Sequence, residues 1–432
     1  MRVSRSFRLS ALALVSLFTL TGFGCRQAVV APKKPSQPLV MWGLWQDTSD
    51  LDPVIQAFKK QTGIDVQYKK LASVAGYQQQ LLDALAQGRG PDIFVIHHTW
   101  VESQQGIMAP APATVIDPKA VNDEFVDVVS KDLVRNGHVY ALPVSVDSLA
   151  LYYNKDLLSA AGIARPPQTW DEVQQDVQKL TSLNRDGTIQ QSGIAMGTAA
   201  NVNRPGDIVQ ALMLQNGLAI NDPSTNAGVS IANDNGSNAL TFYTDFANKA
   251  KNVFTWDLQQ DYSVDAFSEG KSAMMISYSY QLAAVRAKNP RLNFAVAPLP
   301  QIPDSTKKVT LAAYWPFAVA KASPAADAAW QFVRFLSDKD NSIAVNKSQD
   351  APPARRDAVL QLERDQDIGV FAQGALTADS WPRPDITVSD KIFNDMIDGV
   401  VTGQNTVTDA LKRAEDQLNQ SFNPNGPPAT SP

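Results

Sequence analysis

The sequence predicts an α/β protein built in two lobes. Three observations lead there. About 384 residues lie between a leader and a polar tail, more than one hydrophobic core usually organises. That stretch opens with a strand–helix–strand–helix–strand pattern, and its second half repeats the style with a larger helical share.

The first unit is legible residue by residue. Leu39, Val40, Met41 and Trp42 form a short apolar strand. Asp52 is placed to cap the next helix, Pro53 suits its first turn, and Val54, Ile55 and Phe58 mark the buried face. Lys59 and Lys60 sit in the last turn and Gly63 is the stop. Ile64, Val66 and Tyr68 then alternate as a strand. A second helix runs over 77–87 with Leu81, Leu82 and Leu85 on one side, and Gly88 to Pro91 breaks it. Asp92 to Ile96 reads as a strand buried on both faces, so each lobe is expected to be a mostly parallel sheet flanked by helices. Further on, Thr169 and Glu172 have capping-box spacing, and Ser323-Pro324 starts a helix that buries Trp330, Val333 and Leu336. Val407, Leu411, Ala414 and Leu418 make the last helical stripe.

The ends speak to compartment. Arg2, Arg5 and Arg8 precede an apolar run of 12 residues, Leu9 to Leu20, too short for the roughly 20 residues of a membrane span. Residues 1–24 therefore read as an export signal. Cys25 is the one cysteine of the chain, which excludes an intramolecular disulfide. Its position resembles a lipobox, where the cysteine is lipidated and becomes the mature N-terminus; Gly22 and Gly24 equally fit the small-x-small pattern of ordinary signal peptidase. Residues 25–38 are a proline-rich linker, and 422–432 read as a disordered tail. Removing the leader takes three arginines and no acids, so the formal charge goes from −5 to −8. Such a chain, without basic runs, is no nucleic-acid binder.

In open α/β sheets ligands bind beyond the carboxyl ends of the strands. The segments there are Trp42 to Asp47, which includes Trp45 and Gln46, and His97 to Trp100. Both are aromatic and polar, where plain loops carry Gly, Ser and Asn. The competing reading packs these tryptophans against their own lobe.

Five stretches in order then carry a family resemblance: Phe58–Val66; Gly90–Ile96 with Gly106–Ala109; Gly137–Val173; Phe267–Met275 with Pro298–Pro300; and Ala318–Leu336. In this order the chain resembles the extracellular solute-binding proteins of ABC importers, the group that includes maltose-binding protein. The resemblance implies a periplasmic-binding-protein (flytrap) fold, two lobes joined by three crossovers near 143–148, 273–279 and 314–318. It thereby divides the chain into a first lobe of 39–145 plus 276–314 and a second of 146–275 plus 315–421. The chain is expected to be a monomer, held at the membrane through lipidation at Cys25 and facing the periplasm or cell exterior. Its partners would be a small solute, a sugar above all, and the transmembrane subunits of an ABC permease.

Sugar recognition needs flat apolar faces for C–H groups and planar polar groups for hydroxyls. Trp42, Trp45 and Trp100 are candidates for the faces from the first lobe, Trp315 and Trp381 from the hinge and second lobe. Trp170 and Trp330 are assigned to packing, because each lies in a helix signature. Tyr278 and Tyr280 stand where family members present an aromatic to sugar. Asp147 aligns with a carboxylate used for hydroxyls, and also reads as a hinge residue tied to local amides. His97 and His98 align with a ligand-facing polar pair. Neutral histidine both donates and accepts, and neighbours on an extended segment point to opposite sides, so one of the two is expected to face the ligand.

Enzyme signatures are weak. The three histidines lack i,i+4 ligand spacing, so no zinc or other metal is expected. Ser268 and Lys271 match S-x-x-K without its companion motifs. Asn184 to Ile189 resembles a calcium loop, but Gly193 stands where a bidentate Glu is required, and a hairpin turn fits better. No cofactor is expected. The alternatives to import are a sensory or adhesive surface lipoprotein on the same fold, an importer receptor for a non-sugar solute, and a secreted hydrolase.

Overall fold

The computed structural model describes residues 35–218, 229–362, 364–381 and 383–422. The export signal, Cys25, the linker up to residue 34 and the tail from residue 423 lie outside the described residues.

Two separate apolar cores organise the described chain. The first surrounds a five-stranded sheet whose strand order is Val66–Lys70, Leu39–Gly43, Ile93–Val95, Phe317–Val319, Ala141–Leu142. The first three strands are parallel, as the opening pattern required, and Phe317–Val319 runs antiparallel to both of its neighbours. Helix Thr48–Thr62 covers one face through Leu51, Val54, Ile55 and Phe58. It begins a turn before Asp52, because Asp50 turns back to accept a hydrogen bond from the Asp47 amide at 2.9 Å. Its end is as expected: Gly63 takes φ 74°, a left-handed conformation that a side chain would resist. Helix Ala326–Leu336 buries Trp330, Val333 and Leu336 in the same core.

The second core surrounds Met274–Ser277, Ala150–Asn154 and Phe294–Pro298. This sheet is antiparallel throughout, a departure from the expected parallel lobe: the run Ala150–Asn154 pairs on both sides with strands that return to it. Helices Trp170–Leu180, Pro205–Gln215, Ile386–Val401 and Val407–Phe422 pack around it. Thr169 caps the first of these as its spacing indicated, accepting from the Glu172 amide at 3.3 Å. Residues 182–191 form the expected hairpin. Ser268 spends its hydroxyl on the Val264 carbonyl and Lys271 pairs with Asp261, so the S-x-x-K match is a helix end.

The pairing corrects the lobe boundaries. Residues 276–314, expected in the first lobe, contribute the end of strand Met274–Ser277 and all of Phe294–Pro298 to the second-lobe sheet. Phe317–Val319 and helix Ala326–Leu336, expected in the second, belong to the first. The chain therefore stays in the second lobe through Ala273–Ser279. Its crossings fall at Val146–Leu149, at Leu311–Phe317, and around helix Ile368–Ala375.

These crossings lie side by side. Thr310–Ala313 pairs antiparallel with Asp147–Ser148 and parallel with Ala378–Asp379. The period of two then divides its side chains, with Leu311 in the second core and Ala312 in the first. Ser148 donates its hydroxyl to the Phe371 carbonyl at 2.9 Å, and Thr310 to the Leu149 carbonyl at 2.9 Å. Gly374 lets the helix approach: a Cβ there would stand 2.3 Å from Ser148 Oγ. Gly374→Ala should therefore cost about 1–3 kcal/mol in urea unfolding, whereas alanine at an exposed glycine with φ below zero should not.

Candidate functional site

Between the two cores runs a cleft of about 1620 Å³. From the first lobe it is lined by Trp45, Gln46, His97, Thr99, Trp100 and Glu102. Asp147, Tyr314 and Trp315 come from the crossings, and Arg204, Tyr278, Tyr280, Asp385 and Asp390 from the second lobe.

Trp315 is the aromatic centre. Its partly buried ring is met edge-on by Trp45 at 6.1 Å, Tyr77 at 6.2 Å, His97 at 5.1 Å and Trp100 at 5.3 Å. Edge-to-face packing on this scale orients a ring firmly. Two buried polar atoms in the cleft wall, Gln46 Oε1 and Trp100 Nε1, have no protein partner among the described residues. One accepts and the other donates.

The two histidines diverge, although their rings are only 4.4 Å apart. His97 lines the cleft, its Nδ1 2.8 Å from Thr99 Oγ1. Burial drives its pKa well below the usual 6.5, helped by His98 and by Arg383 and Arg204 across the cleft, so it is a neutral imidazole at physiological pH. His98 instead lines a smaller adjoining pocket, with Nδ1 2.7 Å from Asp132 and its ring stacked on Tyr314 at 4.3 Å. Asp132 also accepts from Tyr314 at 2.8 Å and from the Ser380 hydroxyl. One buried carboxylate thus ties the His97–Trp100 segment to two of the crossings.

The second-lobe wall holds a charge network that the sequence reading missed. Arg383 reaches Asp207 at 2.8 Å and Asp390 at 3.0 Å; Arg204 lies 3.4 and 3.3 Å from the same two acids. Tyr278 donates to Asp207 at 2.9 Å and stacks on Tyr280 at 5.9 Å. Burial alone would push the Asp207 carboxyl up; Arg383 and Arg204 reverse that and hold it below its ordinary value. Arg204 occupies a left-handed φ of 54° before Pro205, at the start of helix Pro205–Gln215. The Arg-Pro step and the Trp-Pro-Arg-Pro segment are the signals that could have found this network. Thr99 reaches this wall from the first lobe, donating its hydroxyl to the Arg383 carbonyl at 2.9 Å.

Besides His98, two candidates are not in the cleft. Trp42 is only 8% exposed, packed in the first core beneath Lys69, because its strand pairs on both sides. Trp381 is 1% exposed, its ring perpendicular to Phe393 at 5.8 Å in the second core. The segment around Trp381 does reach the cleft, but through Pro384, Asp385, Ile386 and Asp390. Trp170, Trp256 and Trp330 are all buried in the cores.

Asp147 is tied to local amides, as its hinge reading expected. It lines the cleft, and its carboxylate accepts from the Ser148 amide at 2.8 Å and from the amide and hydroxyl of Ser279 at 3.0 and 2.8 Å. Burial without a cationic partner pushes its pKa up to about 7, against the lowering effect of these donors.

A family model described as bacterial extracellular solute-binding protein matches residues 42–343. The chain belongs to this family. Among curated members, the solute-binding protein is 27% identical over 271 residues to the maltotriose-binding protein of Pyrococcus abyssi, covering 60% of this chain and 53% of that one. It spans between half and two thirds of the length of the first curated relatives it matches. It is 22% identical over 397 residues to the maltooligosaccharide ABC transporter solute-binding lipoprotein of Streptococcus pneumoniae, covering 87% of each. A cyclo/maltodextrin-binding protein complexed with maltotetraose superimposes with a TM-score of 0.76 at 22% identity, covering 91% of this chain and all of that one. That likeness establishes the two-lobed fold.

Trp381→Ala should cost about 3–5 kcal/mol of stability, as for other large core truncations, read from thermal or urea unfolding. The raised pKa of Asp147 has a signed consequence. Between its ordinary value of 3.8 and about 7 the folded state holds more protons than the unfolded one, so its contribution to stability falls as pH rises. Relative to the wild type, Asp147→Asn should gain stability with pH across that window, by at most about 1.4 kcal/mol per pH unit. Parallel wild-type and mutant profiles between pH 4 and 7 would contradict this account.

Proposed function

We propose that this solute-binding protein captures a mono- or oligosaccharide in the interlobe cleft and hands it to the transmembrane subunits of an ABC importer, without chemical change to the solute. The observation that carries the reading is the pairing of the Trp315 ring with Gln46 Oε1 and Trp100 Nε1. A pyranose presents an apolar C–H face and a rim of hydroxyls that each donate and accept. An oriented aromatic face beside one free acceptor and one free donor is complementary to both properties. Neutral His97 adds a further group able to do either.

The names of the relatives support the same class, since they include binding proteins for maltotriose and maltooligosaccharide. The cleft volume leaves room for more than one ring; pockets for drug-sized ligands are about 300–1,000 Å³. Each lobe carries part of the lining, so a solute that touches both favours the closed arrangement, and closure is what a permease would read. Export by the leader and lipidation at Cys25 would keep the protein at the outer face of the membrane. Two acyl chains on one cysteine anchor firmly, at about 0.8 kcal/mol per buried methylene.

Intrinsic tryptophan fluorescence should change on titration with saccharides, because Trp45, Trp100 and Trp315 line the cleft. Trp315→Ala should weaken binding by about 10- to 100-fold, equivalent to about 1.4–2.8 kcal/mol, while keeping a cooperative melt. Flat responses to every sugar, with a response to an amino acid, peptide or phosphate ester, would overturn the saccharide assignment.

A further inference from the structure

The charged groups of the cleft are not balanced. Its one basic lining residue, Arg204, sits between Asp207 and Asp390, and Arg383 behind it serves the same two acids. Two cations and two anions close that account. Glu102, Asp147 and Asp385 remain, one on the first lobe, one at the crossings and one on the second lobe. Among the described residues none of the three forms an ion pair, and no lysine lines the cleft. Asp147 is the most enclosed of them. Its oxygens are occupied by local amide and hydroxyl donors, with no compensating positive charge. A carboxylate in that situation is destabilised by burial, and the missing partner is a cation.

We infer that the cleft discriminates solutes by charge: a saccharide bearing a basic nitrogen binds more tightly than its neutral counterpart, and one bearing a uronate or phosphate is turned away. This rests on the saccharide reading and names its chemical class more narrowly. Glu102, Asp385 and the Asp147 carboxyl, whose ionised form an approaching cation favours, face one cleft and set up a negative potential there, which concentrates cations and repels anions. An ammonium group reaching Asp147 would neutralise the buried carboxylate. A second carboxylate in the same space would add like-charge repulsion to desolvation. The unpartnered Gln46 Oε1 in the wall is a further acceptor, so it too favours a ligand rich in N–H or O–H donors.

The test is calorimetric titration of the full chain with glucose, glucosamine and glucuronate, and with the trisaccharides built from them. The expected order is amine, then neutral, then acid, each step roughly tenfold in Kd at low salt and shrinking as ionic strength rises. The variants Glu102→Gln, Asp147→Asn and Asp385→Asn, singly and together, should collapse the amine-to-neutral ratio towards one and admit the acid. Asp385 caps helix Ile386–Val401, its side chain accepting from the Val388 amide at 3.0 Å, and Asp385→Asn keeps that oxygen; a melt of each variant checks that it folds. Binding of neutral sugars with no preference for amine over acid overturns the charge inference and leaves saccharide capture standing. A silent panel overturns both.

Discussion

Three strands set side by side constrain the rest of the molecule. Thr310–Ala313 joins Asp147–Ser148 and Ala378–Asp379 into one small sheet, so every passage between the lobes is hydrogen-bonded to another. Because strand side chains alternate, Leu311 is locked into one core and Ala312 into the other. The lobes cannot part without bending this sheet as a unit. Bending it moves Asp147 and Trp315, which sit at its ends and line the cleft.

The Asp132 carboxylate extends that coupling into the first lobe. It accepts from His98, Tyr314 and Ser380, which belong to the ligand-side segment and to the second and third crossings. Three partners from distant points of the chain satisfy its hydrogen-bonding capacity. Thr99, one residue on, bonds to the Arg383 carbonyl of the other lobe, and Arg383 anchors the acids of the opposite wall. Aromatic face, hinge and charged wall are therefore parts of one connected arrangement.

Several elements were legible because their signals are local. The end of helix Thr48–Thr62 with its glycine stop, the Thr169 cap and the stripe of 407–418 all follow from spacing and turn chemistry within a few residues, whereas the helix start, a turn before Asp52, does not. The adjacent histidines do line different pockets, but not for the expected reason: His98 opens a tight helical turn instead of continuing an extended segment, and the two rings lie 4.4 Å apart. Lobe membership was misjudged because strand partnership is not local. Nothing in Met274–Ser277 reveals that its neighbour is Ala150–Asn154, over a hundred residues earlier. Trp42 and Trp381 failed as cleft residues for a related reason. A tryptophan at a strand end or before a proline has the same composition whether its ring faces solvent or core, and only packing against Lys69 or Phe393 decides.

By itself the sequence determined the α/β class, the kinship with solute-binding proteins, and the two loops, Trp45–Gln46 and His97–Trp100, that end at the cleft. Those properties reside in periodicity, ordered motifs and the rule that ligands meet strand ends. The tertiary structure alone decided which tryptophans are accessible, how Arg204 and Arg383 are neutralised, and that Glu102, Asp147 and Asp385 line one cleft with no ion-pair partner among the described residues. The reason is physical. Burial and electrostatic balance belong to sets of groups brought together from distant positions, and no single stretch of chain carries them.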